Sequence, residues 1–199
     1  MEEVKMMMNK DACEIEVEAL KTINDEKIVD LEINSLVFKE NGEISTTSAD
    51  FKIVGRLRLK GRVTLKQIFA DYILYYKGRL EGCTIKGDHF NHQKENQGKF
   101  EIALKGLRVF KAGDNRLCVK FDKENHVVCG LAITNYGIAT MVPISTSELM
   151  LFFVNGKTGH IVAEHIGQDY ICGTLQNPGE KLMSLSFMPQ RGEYDDECD

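Results

Sequence analysis

Along 51–63, FKIVGRLRLKGRV, apolar and basic side chains alternate. Phe51, Ile53, Leu57, Leu59 and Val63 take odd positions; Lys52, Arg56, Arg58, Lys60 and Arg62 take even ones. Successive side chains on a strand point to opposite faces, so this pattern predicts a half-buried strand with a row of cations outside. Two earlier segments share the period and reverse the charge. Within 13–19, Cys13, Ile15 and Val17 alternate with Glu14, Glu16 and Glu18. From residue 28, Val29, Leu31 and Ile33 alternate with Asp30, Glu32 and Asn34. Opposite charges on neighbouring strands are mildly stabilising. The three segments therefore predict an antiparallel meander in which an acidic strand sits beside the basic one. Asn41-Gly42 marks one of its hairpins, because this pair tolerates positive φ.

The period changes at 64–77. Leu65, Ile68, Phe69, Tyr72, Ile73 and Tyr76 recur at helical spacing, Thr64 and Gln67 have capping-box spacing, and Gly78 stands where a helix would stop. The pattern predicts one amphipathic helix with Tyr72 and Tyr76 in its buried stripe. Leu74 and Tyr75 fall off that stripe and are candidates for a partner contact. From residue 79 short alternating runs return, separated by turn signals every eight to twelve residues. The run 126–134 is almost wholly apolar, which predicts a central strand. At Gly106 the apolar set switches from even to odd positions, which predicts a bulge or a corner between sheets.

The expected fold is mainly β: an antiparallel β-sandwich or irregular barrel with one helix over about 64–77. A single β-rich domain spans 1–192, as a meander over 12–63, the helix, and a C-terminal sheet over 79–189. An acidic tail, 193–199, follows.

The chain has 199 residues and a net charge of −5, so attraction to nucleic acid must come from a local patch. No apolar run reaches the ~20 residues of a membrane helix, and the start lacks the apolar core of a signal peptide. A cytoplasmic protein without membrane contact is the expectation. The six cysteines include no Cys-x-x-Cys pair. They read as small buried hydrophobes in a reducing compartment rather than as a zinc or disulfide framework.

Few chemistries stand out. Lys52, Arg56, Arg58, Lys60 and Arg62 would lie roughly 6.7 Å apart along one strand face, a spacing that suits a single-stranded phosphate backbone, with Tyr72, Tyr75 and Tyr76 nearby for stacking. Asp88, His89 and His92 are metal-ligand types in one polar loop. Cys83 precedes that loop and could take one of its histidines as base. Gly156-Lys157-Thr158 lacks the upstream glycine of a P-loop and predicts a hairpin turn. His160, Glu164 and His165 lack the helix a zinc-protease signature needs. No cofactor motif is present. The leading expectation is a non-catalytic binding or assembly module working through contacts with another protein or with itself. The alternatives are single-stranded nucleic-acid binding through 52–62, and a metal-dependent enzyme using 88–92.

Overall fold

Alternation governs more of the chain than the sequence pattern suggests. The computed structural model describes residues 12–25 and 27–190; over these the chain forms seventeen strands and no helix. Residues 1–11 of the expected domain and the acidic tail expected over 193–199 lie outside the described residues.

The first nine strands are β1 (Ala12–Asn24), β2 (Lys27–Leu31), β3 (Ser35–Lys39), β4 (Glu43–Thr47), β5 (Lys52–Leu57), β6 (Arg62–Ile68), β7 (Ile73–Glu81), β8 (Thr84–Phe90) and β9 (Asn96–Leu104). They pair in the order β2-β1-β3-β4-β5-β6-β7-β8-β9, and β1 also pairs with β9, closing an eight-stranded barrel that leaves β2 outside the ring. The remaining eight, β10 (Arg108–Ala112), β11 (Asn115–Phe121), β12 (Val127–Ile133), β13 (Ile138–Ser145), β14 (Glu148–Phe153), β15 (Thr158–Ile166), β16 (Ile171–Gln176) and β17 (Met183–Pro189), close a second barrel in sequence order. All pairings are antiparallel, and within each ring the up-and-down closure removes the open edges that would invite aggregation, leaving only β2 with an unpaired side among the described residues. Gly106, where the sequence switches face, sits at φ 72° between β9 and β10. There the chain leaves one barrel for the other.

The expected helix is absent, and residues 64–77 form the β6–β7 hairpin instead. Leu65 lies opposite Tyr76, Gln67 opposite Leu74, and Ile68 opposite Ile73. The Phe69 N–H donates to the Tyr72 carbonyl (3.0 Å), and the two rings stack at 4.4 Å. Two features imitate a helix. The tight turn brings residues three apart together, as a helical turn does. Gln67, a polar residue in an inward position, interrupts the alternation Val63, Leu65 that would have declared a strand. Gly78 is no cap but lies inside β7, opposite Gly87.

The strand expected over 51–63 is also cut in two. β5 ends at Leu57, and β6 starts at Arg62. Between them the Arg58 N–H donates to the Arg62 carbonyl (2.8 Å), and Gly61 takes φ 101°. The cations therefore do not form one straight row.

The inward positions of the first barrel hold an apolar core that includes Ile15, Leu36, Phe38, Ile53, Leu65, Ile85 and Phe100, all at most 2% exposed. Each such side chain contributes roughly 1.5–3 kcal/mol on burial. The second barrel fills around Phe110, Leu151, Phe153 and Phe187. The barrels pack together. Cys118, Cys129, Leu131 and Ile138 of the second belong to the core cluster of the first, while Ala132 belongs to the second barrel's own core. Residues 129–132 of β12 are thus buried on both faces, while Val128 near its start is exposed. The Lys60 ammonium donates to the Asn135 (3.2 Å) and Tyr136 (2.7 Å) carbonyls, and the Ile138 N–H donates to the Leu59 carbonyl (2.8 Å).

The cysteines depart from the expectation of unlinked thiols. Cys13 and Cys129, 116 residues apart, form a disulfide that joins the barrels. Both are buried, at 0% and 5% exposure. Thiol–disulfide exchange requires access to a sulfur, and this burial restricts that access.

Candidate functional site

Strand register assembles a surface that the linear sequence hides. On the outer face of the first barrel, Ser45, Val54, Lys66, Tyr75 and Phe90 lie side by side on β4 to β8. The next row is Glu43, Arg56, Thr64, Lys77 and Asp88. At ~4.8 Å per strand, five strands span about 19 Å. These rows, apart from Asp88, line an open groove of about 780 Å³. Six cations border it: Lys39, Arg56, Arg58, Lys66, Lys77 and Lys94.

Gly55 forms part of the floor. A Cβ there would stand 2.1 Å from the Thr64 carbonyl oxygen and 2.6 Å from Leu65 Cδ2. Gly55 lies in register with Ile44 and Leu65, whose buried side chains point into the barrel, and strands β5 and β6 approach too closely there for any side chain. A second close approach of glycine backbone lies beside it. Gly78 and Gly87 line an adjoining depression of about 470 Å³ that shares Thr64 and Lys77 with the groove and adds Arg62, Arg79 and Lys86 together with the carboxylates Glu81 and Asp88.

The carboxylates expected to neutralise the basic segment are elsewhere. β5 lies between β4 and β6, whereas the strand carrying Glu14 and Glu16 lies between β3 and β9. Among the described residues, Glu43 is the carboxylate that lines the groove, 3.8 Å from Arg56 and 3.5 Å from Lys39. Both pairs are solvent-exposed and contribute little. The aromatic groups are half-buried on the groove wall. The Lys94 ammonium sits 5.5 Å from the Tyr75 ring centre, and that of Lys77 sits 5.5 Å from the Phe90 ring centre. Tyr76 turns inward beneath them and donates its hydroxyl to Gln67 Oε1 (2.6 Å). Burial, assisted by Tyr72, pushes the Tyr76 phenol far above the usual tyrosine range. It is a neutral structural donor rather than an acid.

Of the residues singled out from the sequence, the fold brings Arg56, Arg58 and Tyr75 into this groove. Arg62 borders the adjoining depression. Lys60 is spent on the contact between barrels. Lys52, exposed at the far end of β5, lies off the groove lining. Lys39, Lys66, Lys77, Lys94 and Phe90 were missed, because their neighbourhood depends on register and not on spacing along the chain.

Asp88, His89 and His92 do not converge. Asp88 and His89 are consecutive in β8 and face opposite sides of the sheet. Asp88 pairs with Lys99 on the outside. His89 stacks against Tyr76 at 6.1 Å, and burial lowers its pKa despite the opposing Asp88 charge. His92 Nδ1 accepts from the Ile73 N–H (3.0 Å). Among the described residues no group of three metal-ligating side chains comes together. Cys83 lies against Cys118 at 3.4 Å rather than against a histidine. Gly156 takes φ 87° in the β14–β15 hairpin, as its turn sequence requires.

The geometry defines an all-β protein of two packed eight-stranded barrels, with a cationic, aromatic-walled groove on one of them. The chain matches no protein-family model, no curated protein and no solved structure.

Proposed function

We propose that the protein is a binding module that takes single-stranded nucleic acid in the groove of its first barrel. The observation supporting this reading is the pairing of cations with aromatic faces on one concave surface: six basic side chains around Tyr75 and Phe90. A flexible phosphate backbone is held by such cations, and unstacked bases lie on such rings. Lys77 and Lys94 currently cover the two rings. A base that displaces them onto a neighbouring phosphate exchanges a cation–π contact for stacking and a charge pair. A duplex, whose bases are already stacked, gains only the charge term. The overall charge of −5 confines the attraction to the patch.

The competing reading, a protein–protein module, would place an acidic segment of a partner in the same groove. It uses the cations and leaves the aromatic wall without a specific role. The test is a fluorescence-anisotropy titration with labelled oligo-dT and oligo-U, a duplex of equal length, and a polyglutamate peptide of matched charge. The proposal expects the single strands to bind tightest. Tighter binding of the peptide, or equal binding of the duplex, contradicts it.

A further inference from the structure

A second sulfur pair crosses the boundary between the barrels. Cys83 stands in the β7–β8 turn of the first barrel, and Cys118 on β11 of the second; their Sγ atoms are 3.4 Å apart. Cys118 is wholly buried and Cys83 half-buried. The Leu104 N–H donates to the Cys83 carbonyl (2.8 Å), which ties the turn in place. β11 is held between β10 and β12. Both sulfurs therefore sit on anchored backbone. They lie close to the Cys13–Cys129 bond, since Cys118 and Cys129 are on adjacent strands β11 and β12.

We infer that Cys83 and Cys118 are an oxidisable dithiol, a second covalent clasp between the barrels that closes on reaction with a low-molecular-weight disulfide. The two thiols differ in a useful sense. The contact with Cys118, opposed by burial and helped by the Arg116 charge, holds Cys83 below an ordinary thiol. The contact with Cys83 and burial push Cys118 up. The less buried partner is thus the better thiolate, as the attacking sulfur must be. Cys83 as thiolate attacks one sulfur of the oxidant, forming a mixed disulfide and expelling one small thiolate. Cys118 then gives up its proton and attacks the Cys83 sulfur, expelling the second small thiolate. The protein loses two electrons and two protons. The oxidant's disulfide gains them as two thiols.

The experiment uses the full chain with Cys198→Ser, which removes a thiol outside the described residues. The protein is equilibrated in glutathione buffers of rising oxidised fraction, quenched by alkylation, digested without reduction and mapped by mass spectrometry. The expected result is a Cys83–Cys118 linked peptide, with Cys172 stopping at a glutathione adduct. Cys118→Ser should convert the product at Cys83 into a stable glutathione adduct, and Cys83→Ser should leave Cys118 unmodified. A stable adduct at Cys83 in the chain that retains Cys118 overturns the inference. So does failure of Cys83 to react while Cys172 does, or linkage of Cys83 to a cysteine other than Cys118.

Discussion

Removing Lys66 and Lys77 should weaken the salt dependence of oligonucleotide binding by a calculable amount. Binding to a single strand releases about 0.7 counterion per neutralised phosphate, so log K falls with log salt at ~0.7 per contact. Six cations line the groove, and Glu43 partly answers Lys39 and Arg56. That leaves Arg58, Lys66, Lys77 and Lys94 for phosphates, and a slope of about −2.8. Between about 50 and 200 mM salt the affinity should then fall roughly 50-fold. The Lys66→Ala/Lys77→Ala variant has two contacts left, a slope of about −1.4, and a loss of only about sevenfold over the same range. Both side chains are exposed on strand faces, so the double substitution should leave thermal stability nearly unchanged. Tyr75→Ala provides the counterpart. Loss of a stacking platform costs about 1–3 kcal/mol, roughly 5- to 150-fold in affinity, with the slope preserved. Anisotropy titrations over a salt series measure both quantities. The reasoning is refuted if the double variant binds with the parental slope, or if the parent shows no affinity at low salt.

Three further substitutions test the scaffold. Tyr76→Phe strands the buried Gln67 amide, whose Nε2 already lacks a partner; it should cost about 1–3 kcal/mol in urea unfolding, and Gln67→Leu added to it should recover most of that loss. Simple addition of two losses would show that the hydrogen bond is not the cause. His89 has a native pKa below its unfolded value, so the unfolded chain binds the extra proton in acid. The stability it contributes is present above about pH 6.5 and is lost as pH falls toward the native value. Urea midpoints for His89→Gln should decline less than the parent's between about pH 7 and 5, and an equally steep decline removes the argument. Gly87→Ala would place a Cβ 2.1 Å from the Lys77 carbonyl oxygen. The expected loss is at least ~2 kcal/mol by thermal unfolding, whereas an unaffected midpoint would mean that β7 and β8 can separate freely.

Alternation of greasy and charged positions made some strands legible and misled at others: 51–63 is two strands, and β2 leaves Ile28 and Val29 exposed. Cys13, Ile15 and Val17 announce β1, and the apolar run from 126 to 134 announces β12. The β6–β7 hairpin was not legible, because its turn, Phe69-Ala70-Asp71-Tyr72, contains no glycine, proline or asparagine. Its flanking residues also happen to keep helical spacing. Barrel closure rests on the β1–β9 and β10–β17 pairings, which no local pattern encodes. The groove follows the same rule. Arg56, Arg58 and Tyr75 could be found because their types are unusual in their segments. Lys66 and Phe90 become neighbours of Tyr75 only once β6, β7 and β8 are in register. The cysteine pairs are hidden for a related reason, since connectivity is a matter of distance in space and Cys13 and Cys129 are 116 residues apart.

The account turns on where a bound strand lies. Photocrosslinking of oligo-U carrying 4-thiouridine, followed by mass-spectrometric mapping of the adducts, locates it directly. Adducts concentrated at Tyr75 and Phe90, and lost in Lys66→Ala/Lys77→Ala at moderate salt, are the predicted result. Adducts confined to the second barrel, or spread evenly over both barrels, would contradict the assignment of the groove.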